Sequence, residues 1–279
     1  MSLALDNGNA LLDYVQIRKG VVLFYTLYDG NKKPKPIQRT GLVNNQNVSR
    51  FKKYFNILLL FSNVKTNRTK DGKRFTWRLN FITLTLPAKP SVNDRTDKAF
   101  FLLRKKIVYH GLRFYLWRKE IQESTGNVHY HIVSNSFLHY EQLQKLWNDS
   151  LKKHAPGTIE RFFKKHGHKK PPSTEVRAIR HVHKCMAYAS KYLEKDGQPV
   201  SGNTFGISRA LLAIRYPVIL WEDLTEKPTF PTEQANDFCW IARAEYIELT
   251  EELKKTWSTF VDHARKTLNA DEVRAVSSS

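Results

Sequence analysis

Two histidines, His129 and His131, stand one residue apart in the segment VHYHIV. The segment is rich in residues that favour β-strands. Because successive side chains of a strand point to opposite faces, both imidazoles should lie on one face, close enough to share a metal ion. The alternative interpretation is a pair of half-exposed histidines without a ligand.

The H-x-H spacing alone is weak evidence for a metal site, because it occurs twice more in this chain. The other two pairs lie in basic segments: His166 with His168, and His181 with His183. We interpret both of these pairs as solvated or DNA-facing.

Glu120 and Gln122 distinguish the first pair, because they precede it on a neighbouring strand and share the same strand parity. Either side chain can face the imidazoles across a hairpin. Two neutral imidazoles with one carboxylate or amide oxygen leave open positions on a divalent cation for phosphate oxygens and water. The alternative for Glu120 is a cross-strand ion pair with an Arg or Lys. The residues themselves leave the choice of third ligand open.

Tyr188, Lys191 and Tyr192 form a second group in a segment of helix-compatible composition. Spacings of three and four residues place them on one helix face, with the two tyrosines about 6 Å apart along the axis. Cutting a phosphodiester with tyrosine requires an in-line phenolate, a Lewis acid at the non-bridging oxygens and stabilisation of the leaving 3′ oxygen. A metal and Lys191 can supply these. The alternative is a tyrosine stripe that packs on a sheet, with Lys191 extended along it.

The phosphotyrosine ester formed by such a cut keeps the energy of the broken bond. A free 3′ hydroxyl can therefore attack the ester later and reseal the strand without ATP. This chemistry suits an enzyme that cuts, waits and rejoins.

The elements that must position these residues follow from the pattern of apolar side chains. The predicted order is strand, helix, hairpin, helix, strand, helix, which indicates an α+β domain on an antiparallel sheet. The predicted elements are a strand at Leu79–Leu86, a helix from an N-cap at Asp94 or Thr96 to about Val108, a hairpin of Arg113–Ile121 and Val128–Ser134, a helix at Tyr140–His154, a basic loop at Lys164–Pro172, a strand at Thr174–Ile179 and a helix at His181–Lys195.

Three regions follow along the chain. We predict an N-terminal accessory segment at 1–75, a catalytic domain at 76–200 and a mostly helical C-terminal extension at 201–279. The first region has a short strand near Gly20–Tyr28 and a helix-compatible stretch at Arg50–Phe61. The last has helices predicted at about 232–246 and 250–268.

Composition restricts the class of protein. The 279 residues, 41% of them hydrophobic, suffice for one substantial core with appendages, and the net charge of +20 favours a nucleic-acid partner. Two cysteines are too few for a disulfide framework and fit a reducing cytoplasm. We expect no membrane span and no leader peptide. No P-loop motif occurs, so DNA unwinding would need a partner.

Three segments, in order, resemble the three motifs of HUH rolling-circle replication initiators. They are FITLTLP at 81–87, EIQESTGNVHYHIV at 120–133 and YASKYLEK at 188–195. The Tyr-x-x-Lys-Tyr form looks like the two-tyrosine branch found in isometric single-stranded DNA phages and related bacterial plasmids. A bacterial host is therefore implied.

The resemblance implies a ferredoxin- or RRM-like domain that nicks and rejoins single-stranded DNA to initiate and terminate replication. It implies Mg²⁺ or Mn²⁺ as the ion, origin DNA with its hairpin as the substrate, and a host helicase and replication machinery as partners. The implied roles are metal ligation by His129, His131 and Glu120, primary attack by Tyr188, second attack by Tyr192 and active-site assistance by Lys191. The hairpin turn is slightly longer than the shortest family spacing, so counting does not separate Glu120 from Gln122.

Three other functions are weighed against this interpretation. Relaxases of this class usually place the tyrosine before the histidines, whereas here the tyrosines follow by about sixty residues. Single-strand transposases keep the observed order and stay open. A non-catalytic single-strand nucleic-acid binder would carry exposed aromatic rings on the sheet face where the histidines lie.

Overall fold

The computed structural model describes residues 14–18, 21–25, 45–68, 71–122, 126–179, 203–220, 224–225, 232–236, 239–242 and 249–276. The chain divides into two compact units. One comprises Met1–Gln38 with Ile214–Thr267, and the other comprises Arg39–Ala213 with Leu268–Ser279. The proposed domain limits at 75 and 200 stay a prediction.

The larger unit contains an antiparallel five-stranded sheet flanked by helices, as an RRM-like or HUH fold does. Its helices are α1 (Asn45–Phe61), α2 (Thr96–Tyr109), α3 (Tyr140–His154), α4 (Pro156–His166) and α5 (Arg209–Ala213). Its strands are β3 (Lys65–Arg68), β4 (Arg74–Trp77), β5 (Leu79–Thr85), β6 (Tyr115–Ile121), β7 (Val128–Ser134), β8 (Thr174–Ile179) and β9 (Phe205–Ile207). The sheet order is β8-β5-β7-β6-β9, and β3 pairs with β4 separately. The predicted α+β class is confirmed.

The core lies between one face of this sheet and helices α2 and α3. Alternate residues of β5 and β7 point into it, and each helix contributes an apolar stripe at helical spacing. The buried side chains include Ile82, Leu84, Tyr130, Ile132, Phe100, Leu103, Ile107, Leu143, Trp147 and Leu151. Because side chains alternate along β7, burial of Tyr130 and Ile132 turns His129 and His131 to the opposite face. A one-residue slip of the register would reverse this, so the core specifies where the histidines point.

The start of α2 differs from the prediction. Neither Asp94 nor Thr96 is the N-cap; that position is Arg95, and no side chain caps the helix. The Asp94 carboxylate instead accepts hydrogen bonds from both the amide and the hydroxyl of Ser91, from the Gly157 amide in the first turn of α4, and from Arg161. It joins the segment before α2 to the beginning of α4.

The basic segment that was predicted as a loop at Lys164–Pro172 begins as helix, because α4 continues to His166. Gly167 ends the helix in the left-handed conformation, with φ of 75°. The apolar residues Ile159 and Phe162 of α4 are buried, and Pro lies in its first turn. The first basic residues of the segment therefore belong to the exposed face of a short amphipathic helix.

The smaller unit contains a second antiparallel sheet of order β10-β1-β2-β12-β11. Its strands are β1 (Tyr14–Arg18), β2 (Val21–Tyr25), β10 (Val218–Leu220), β11 (Thr232–Asn236) and β12 (Cys239–Ala242). The strand predicted near Gly20–Tyr28 is confirmed as β2. The helix predicted at about 232–246 is wrong, because β11 and β12 pair with each other and β12 also pairs with β2. Cys, Trp and Ile in β12 favour a strand once a partner strand is available.

The last helix, α6 (Glu251–Val276), confirms the helix predicted at about 250–268 and continues beyond it. Within the smaller unit, its Trp257 and Phe260 rings contact Tyr216 at centroid distances of 6.2 and 5.3 Å. Among the described residues, none of the helices combines the length and the apolar character needed to cross a lipid bilayer.

Candidate active site

His129 and His131 lie on the same face of β7, the middle strand of the larger sheet. Their ring centroids are 6.0 Å apart and their planes are inclined by 46°. The flanking strands place Thr83 and Arg118 beside His131, and Thr85 and Glu120 beside His129. The strand geometry predicted for the two imidazoles is thus present.

Glu120 reaches diagonally across the β6–β7 pair to His131. Its Oε1 lies 2.6 Å from His131 Nε2, with side-chain exposures of 23% for Glu120 and 10% for His131. On the other side, Thr83 Oγ1 lies 3.3 Å from His131 Nδ1. With the proton on Nε2, His131 donates to the carboxylate and accepts from the threonine hydroxyl. His131 is therefore oriented from both neighbouring strands.

Gln122 lies beyond the end of β6 and is exposed. Its backbone closes the hairpin, since its amide donates to the Asn127 carbonyl over 2.8 Å and its carbonyl accepts from the Gly126 amide over 2.7 Å. Gly126 has φ of 67°, a left-handed conformation that glycine adopts without strain. The structure thus places Glu120, rather than Gln122, in contact with a site histidine.

The electrostatics of the site keep a carboxylate next to a neutral imidazole. Burial alone would raise the pKa of Glu120, but the hydrogen bond with His131 and the charges of His131, Arg118 and His129 lower it overall. Burial lowers the pKa of His129, and proximity to His131 lowers it further, against the opposing effect of Glu120. A carboxylate and a neutral imidazole are the forms that bind metal ions.

His129 carries a polar atom without a protein partner. Its Nε2 is buried and makes no hydrogen bond. Buried polar atoms of this kind are rare in folded proteins, and they commonly serve a bound ion or water molecule. The donor set of two imidazoles and a carboxylate fits a divalent cation at this position.

The ligand atoms are not yet arranged around one point. Within the described part of the chain, no three His, Cys, Asp or Glu side chains form a ready metal cluster. The reason is visible at His131, whose Nε2 contacts Glu120 directly, so that two groups suited to an ion bind each other. Ion binding at this position requires that contact to open.

Sequence reasoning missed two neighbours from β5. Phe81 stacks on His131 with ring centroids 5.2 Å apart and planes inclined by 22°, and Thr83 contacts the other ring nitrogen. The alternation in FITLTLP places Phe81, Thr83 and Thr85 on one face, which is the signal that was available. Their partners in β7 depend on a register between strands about fifty residues apart.

Tyr130, between the two histidines, fixes β7 from the core side. Its hydroxyl donates to Asp97 Oδ1 over 2.8 Å, and Lys119 Nζ donates to the same oxygen over 2.7 Å. Its ring stacks on Phe100 with centroids 4.0 Å apart. Burial raises the pKa of Tyr130 well above its usual range, so it stays a neutral donor. The strand that carries the histidines is thereby held to α2 and β6.

The remaining candidates are placed only in part. His166 and His168 are exposed, in accord with the solvated interpretation, and His166 stacks on Phe162 at 4.4 Å. The predicted nucleophile group, Tyr188, Lys191 and Tyr192, and the pair His181 and His183 lie outside the described residues.

Comparison with known proteins supports the functional class. Residues 79–197 match the family model for the replication-associated protein ORF2. The matched segment begins at β5 and contains Glu120, both site histidines and the tyrosine segment. No curated protein and no solved structure shows a significant match to the chain. The match supports a Rep-type replication-initiator family and a role in replication for this segment.

Proposed function

We propose that this protein is a metal-dependent HUH endonuclease and strand transferase. It cuts single-stranded DNA at a replication origin, holds the 5′ end as a phosphotyrosine ester and later reseals the strand, which initiates and terminates rolling-circle replication. Its substrate is single-stranded origin DNA, and its partners are a host helicase and replication machinery in a bacterial cytoplasm.

The observation that carries this proposal is the His129, His131 and Glu120 group on the middle strand of the sheet. The group combines two imidazoles with a buried carboxylate, leaves His129 Nε2 without a partner, and lies inside the segment that matches a replication-associated family. A replication protein needs no such group to bind DNA. It does need one to cut DNA by metal-assisted transesterification.

In the proposed mechanism, His129, His131 and Glu120 hold Mg²⁺ or Mn²⁺, which withdraws charge from the scissile phosphate when bound. Thr83 and Phe81 keep His131 in place. The phenolate oxygen of Tyr188 attacks phosphorus, the bond to the 3′ oxygen breaks, and the 5′ phosphate becomes esterified to Tyr188. Lys191 stabilises charge that develops on the leaving 3′ oxygen, and Tyr192 acts in the second transfer.

A non-catalytic binder is less well supported by the histidine face. A binding sheet exposes aromatic rings on which bases stack. Here Phe81, an aromatic residue of that face, is half-buried and stacks on His131 instead. The ring therefore supports the proposed metal ligand. The transposase alternative shares the chemistry and differs only in the DNA that is processed.

The test is cleavage of labelled oligonucleotides from the protein's own replicon, with and without Mn²⁺. We expect cleavage by the wild-type protein only with the ion. His129→Ala should bind the same oligonucleotide and fail to cut it, because loss of one ligand removes most of the affinity for the ion. His168→Ala is the matched control, since that histidine is exposed and belongs to another H-x-H pair.

Two results would contradict the proposal. One is cleavage by His129→Ala at the wild-type rate with Mg²⁺ or Mn²⁺. The other is the absence of any cut by the wild-type protein with metal on every strand of the origin, tested as single strands and as hairpins.

A further inference from the structure

A small cavity opens on the side of the sheet opposite the histidines, between α2 and the edge of the sheet at β9. Its volume is about 270 Å³, and its lining consists of Asp97, Lys98, Phe100, Phe101, Arg104, Trp117 and Asn203. Trp117 precedes Arg118 on β6 and therefore points away from His131. The cavity is separate from the candidate active site.

Trp117 brings an unpaired donor to this cavity. The side chain is 5% exposed, and its buried Nε1 has no hydrogen-bond partner. Gly206 of β9 lies directly beneath the indole, since a Cβ added there would be 2.4 Å from Nε1. A larger residue at position 206 would displace the ring. The edge strand thus leaves the indole N–H beside the cavity, where an acceptor is missing.

Arg104 forms the second feature of the cavity. Its guanidinium carbon lies 5.3 Å from the Phe100 ring centroid, 5.5 Å from that of Phe101 and 5.1 Å from that of Trp117. Its buried Nε also has no hydrogen-bond partner. The planar cation is therefore held by aromatic rings, with hydrogen-bonding capacity left over.

The charges around the cavity favour an anion-bearing ligand. Lys98 and Arg104 are cationic, and Lys105 Nζ lies 4.7 Å from the centroid of Phe101. The acidic residue Asp97 is already engaged, because its Oδ1 accepts from both Lys119 and Tyr130. Phe101 itself is 51% exposed, an unusual state for phenylalanine on a helix surface.

From these observations we infer that the cavity binds one unstacked nucleobase of the single-stranded DNA substrate, away from the cut site. The exposed ring of Phe101 packs against the base, the N–H groups of Trp117 and Arg104 donate to its carbonyl or ring-nitrogen acceptors, and Lys98 and Lys105 face the neighbouring phosphates. This inference rests on the proposed function, because it assigns a second contact to the same DNA.

The size of the cavity supports a single base. Pockets for whole small molecules or cofactors usually measure roughly 300–1,000 Å³, so about 270 Å³ suits one planar ring system. Aromatic rings with interleaved cations are the typical surface for single-stranded nucleic acid, whereas duplex DNA keeps its bases stacked. The cavity should therefore discriminate against duplex DNA.

The experiment uses the full chain and oligothymidylate with photoreactive 5-iodouracil at successive positions. We expect cross-links that map by mass spectrometry to the peptides containing Phe101 or Trp117. Phe101→Ala should weaken single-strand binding roughly fivefold or more, the loss typical of one stacked base. Trp117→Phe, which keeps the packing and removes the donor, should weaken it less. Tyr109→Ala is the matched control, because Tyr109 is an aromatic residue of the same helix with 88% exposure.

Equal affinity of Phe101→Ala, Tyr109→Ala and wild type, with no cross-link at either peptide, would overturn the inference. So would a cavity that binds free thymidine monophosphate through Phe101 while oligonucleotide affinity is indifferent to that substitution. If the wild type nicks origin DNA while these variants match it, this inference alone fails. If the wild type neither binds nor nicks single strands, the proposed function fails as well.

Discussion

His131 is the most constrained residue of the candidate site. Glu120 binds one ring nitrogen at 2.6 Å, Thr83 lies 3.3 Å from the other, and Phe81 stacks on the ring. His129 has a similar location but lacks a partner at Nε2. One imidazole is thus oriented in advance and the other is left open, an asymmetry that a shared ion would remove.

Replacing the two possible third ligands separates their roles. We expect Glu120→Ala to weaken Mn²⁺ binding about tenfold or more, since loss of even an indirect partner of a metal ligand commonly costs that much. Gln122→Ala should leave the affinity for Mn²⁺ near that of the wild type, because Gln122 is exposed beyond the end of β6. Titration calorimetry measures both.

Thermal melting of each variant checks that the fold survives, since Glu120→Ala also leaves His131 without its carboxylate. Equal loss of Mn²⁺ affinity in the two variants, or a loss confined to Gln122→Ala, would show that the ligand assignment is wrong.

The part of the site that could be predicted is the part determined by local rules. Strand parity placed His129 and His131 on one face, and the short hairpin placed Glu120 on the adjacent strand. Phe81 and Thr83 could not be matched to His131, because their register depends on a pairing between distant strands. Tyr188, Lys191 and Tyr192 remain a prediction.

At the scale of elements, the same division holds. The alternation of β5, β6 and β7 and the apolar stripe of α3 could be predicted, because each buries one face against a single core. The hairpin at β11 and β12 could not, since its strand conformation depends on β2, which lies about two hundred residues earlier. Long-range pairing overrode a sequence that is also compatible with a helix.

Asp94 gives a stability prediction for the helical layer. Burial alone would raise the pKa of Asp94, but hydrogen bonds from Ser91 and Arg161 lower it overall. Its carboxylate is 2% exposed and also accepts the Gly157 amide. We expect Asp94→Asn to lower the free energy of unfolding by about 1–3 kcal/mol at neutral pH, measured by chemical denaturation.

The sign of the pH effect follows from the lowered pKa. The stabilisation from Asp94 should be present above its ordinary pKa near 3.8 and should be lost as the pH falls through the lower folded value. The difference between wild type and Asp94→Asn should therefore shrink in acid. Asp149→Asn is the control, because its pair with Lys152 is a surface contact at 3.8 Å. A difference that grows in acid would contradict the assignment.

At the scale of the whole molecule, the net charge of +20 predicts that DNA affinity depends mainly on phosphate contacts. Log affinity should fall steeply and linearly with log salt concentration. Neutralising the exposed lysines Lys164, Lys165 and Lys169 should weaken all single-stranded sequences about equally and reduce the slope by up to roughly 0.7 per lysine. Fluorescence anisotropy across salt concentrations measures both quantities.

Lys254→Gln provides the comparison, since the Lys254 ammonium already pairs with Glu251 at 2.7 Å. It should change the slope little. A salt response that is flat for the wild type would show that phosphate contacts do not dominate, and a loss restricted to one sequence would assign these lysines to base recognition instead.

The central claim, cleavage by a tyrosine nucleophile, is tested most directly by mass spectrometry of the protein after a single cut of origin DNA with Mn²⁺. We predict one covalent nucleotide adduct, predominantly on Tyr188, which is lost in Tyr188→Phe. Tyr192→Phe should still form it while failing to release a rejoined circle. Failure to find any protein–DNA ester, although the DNA is cut, would contradict the account.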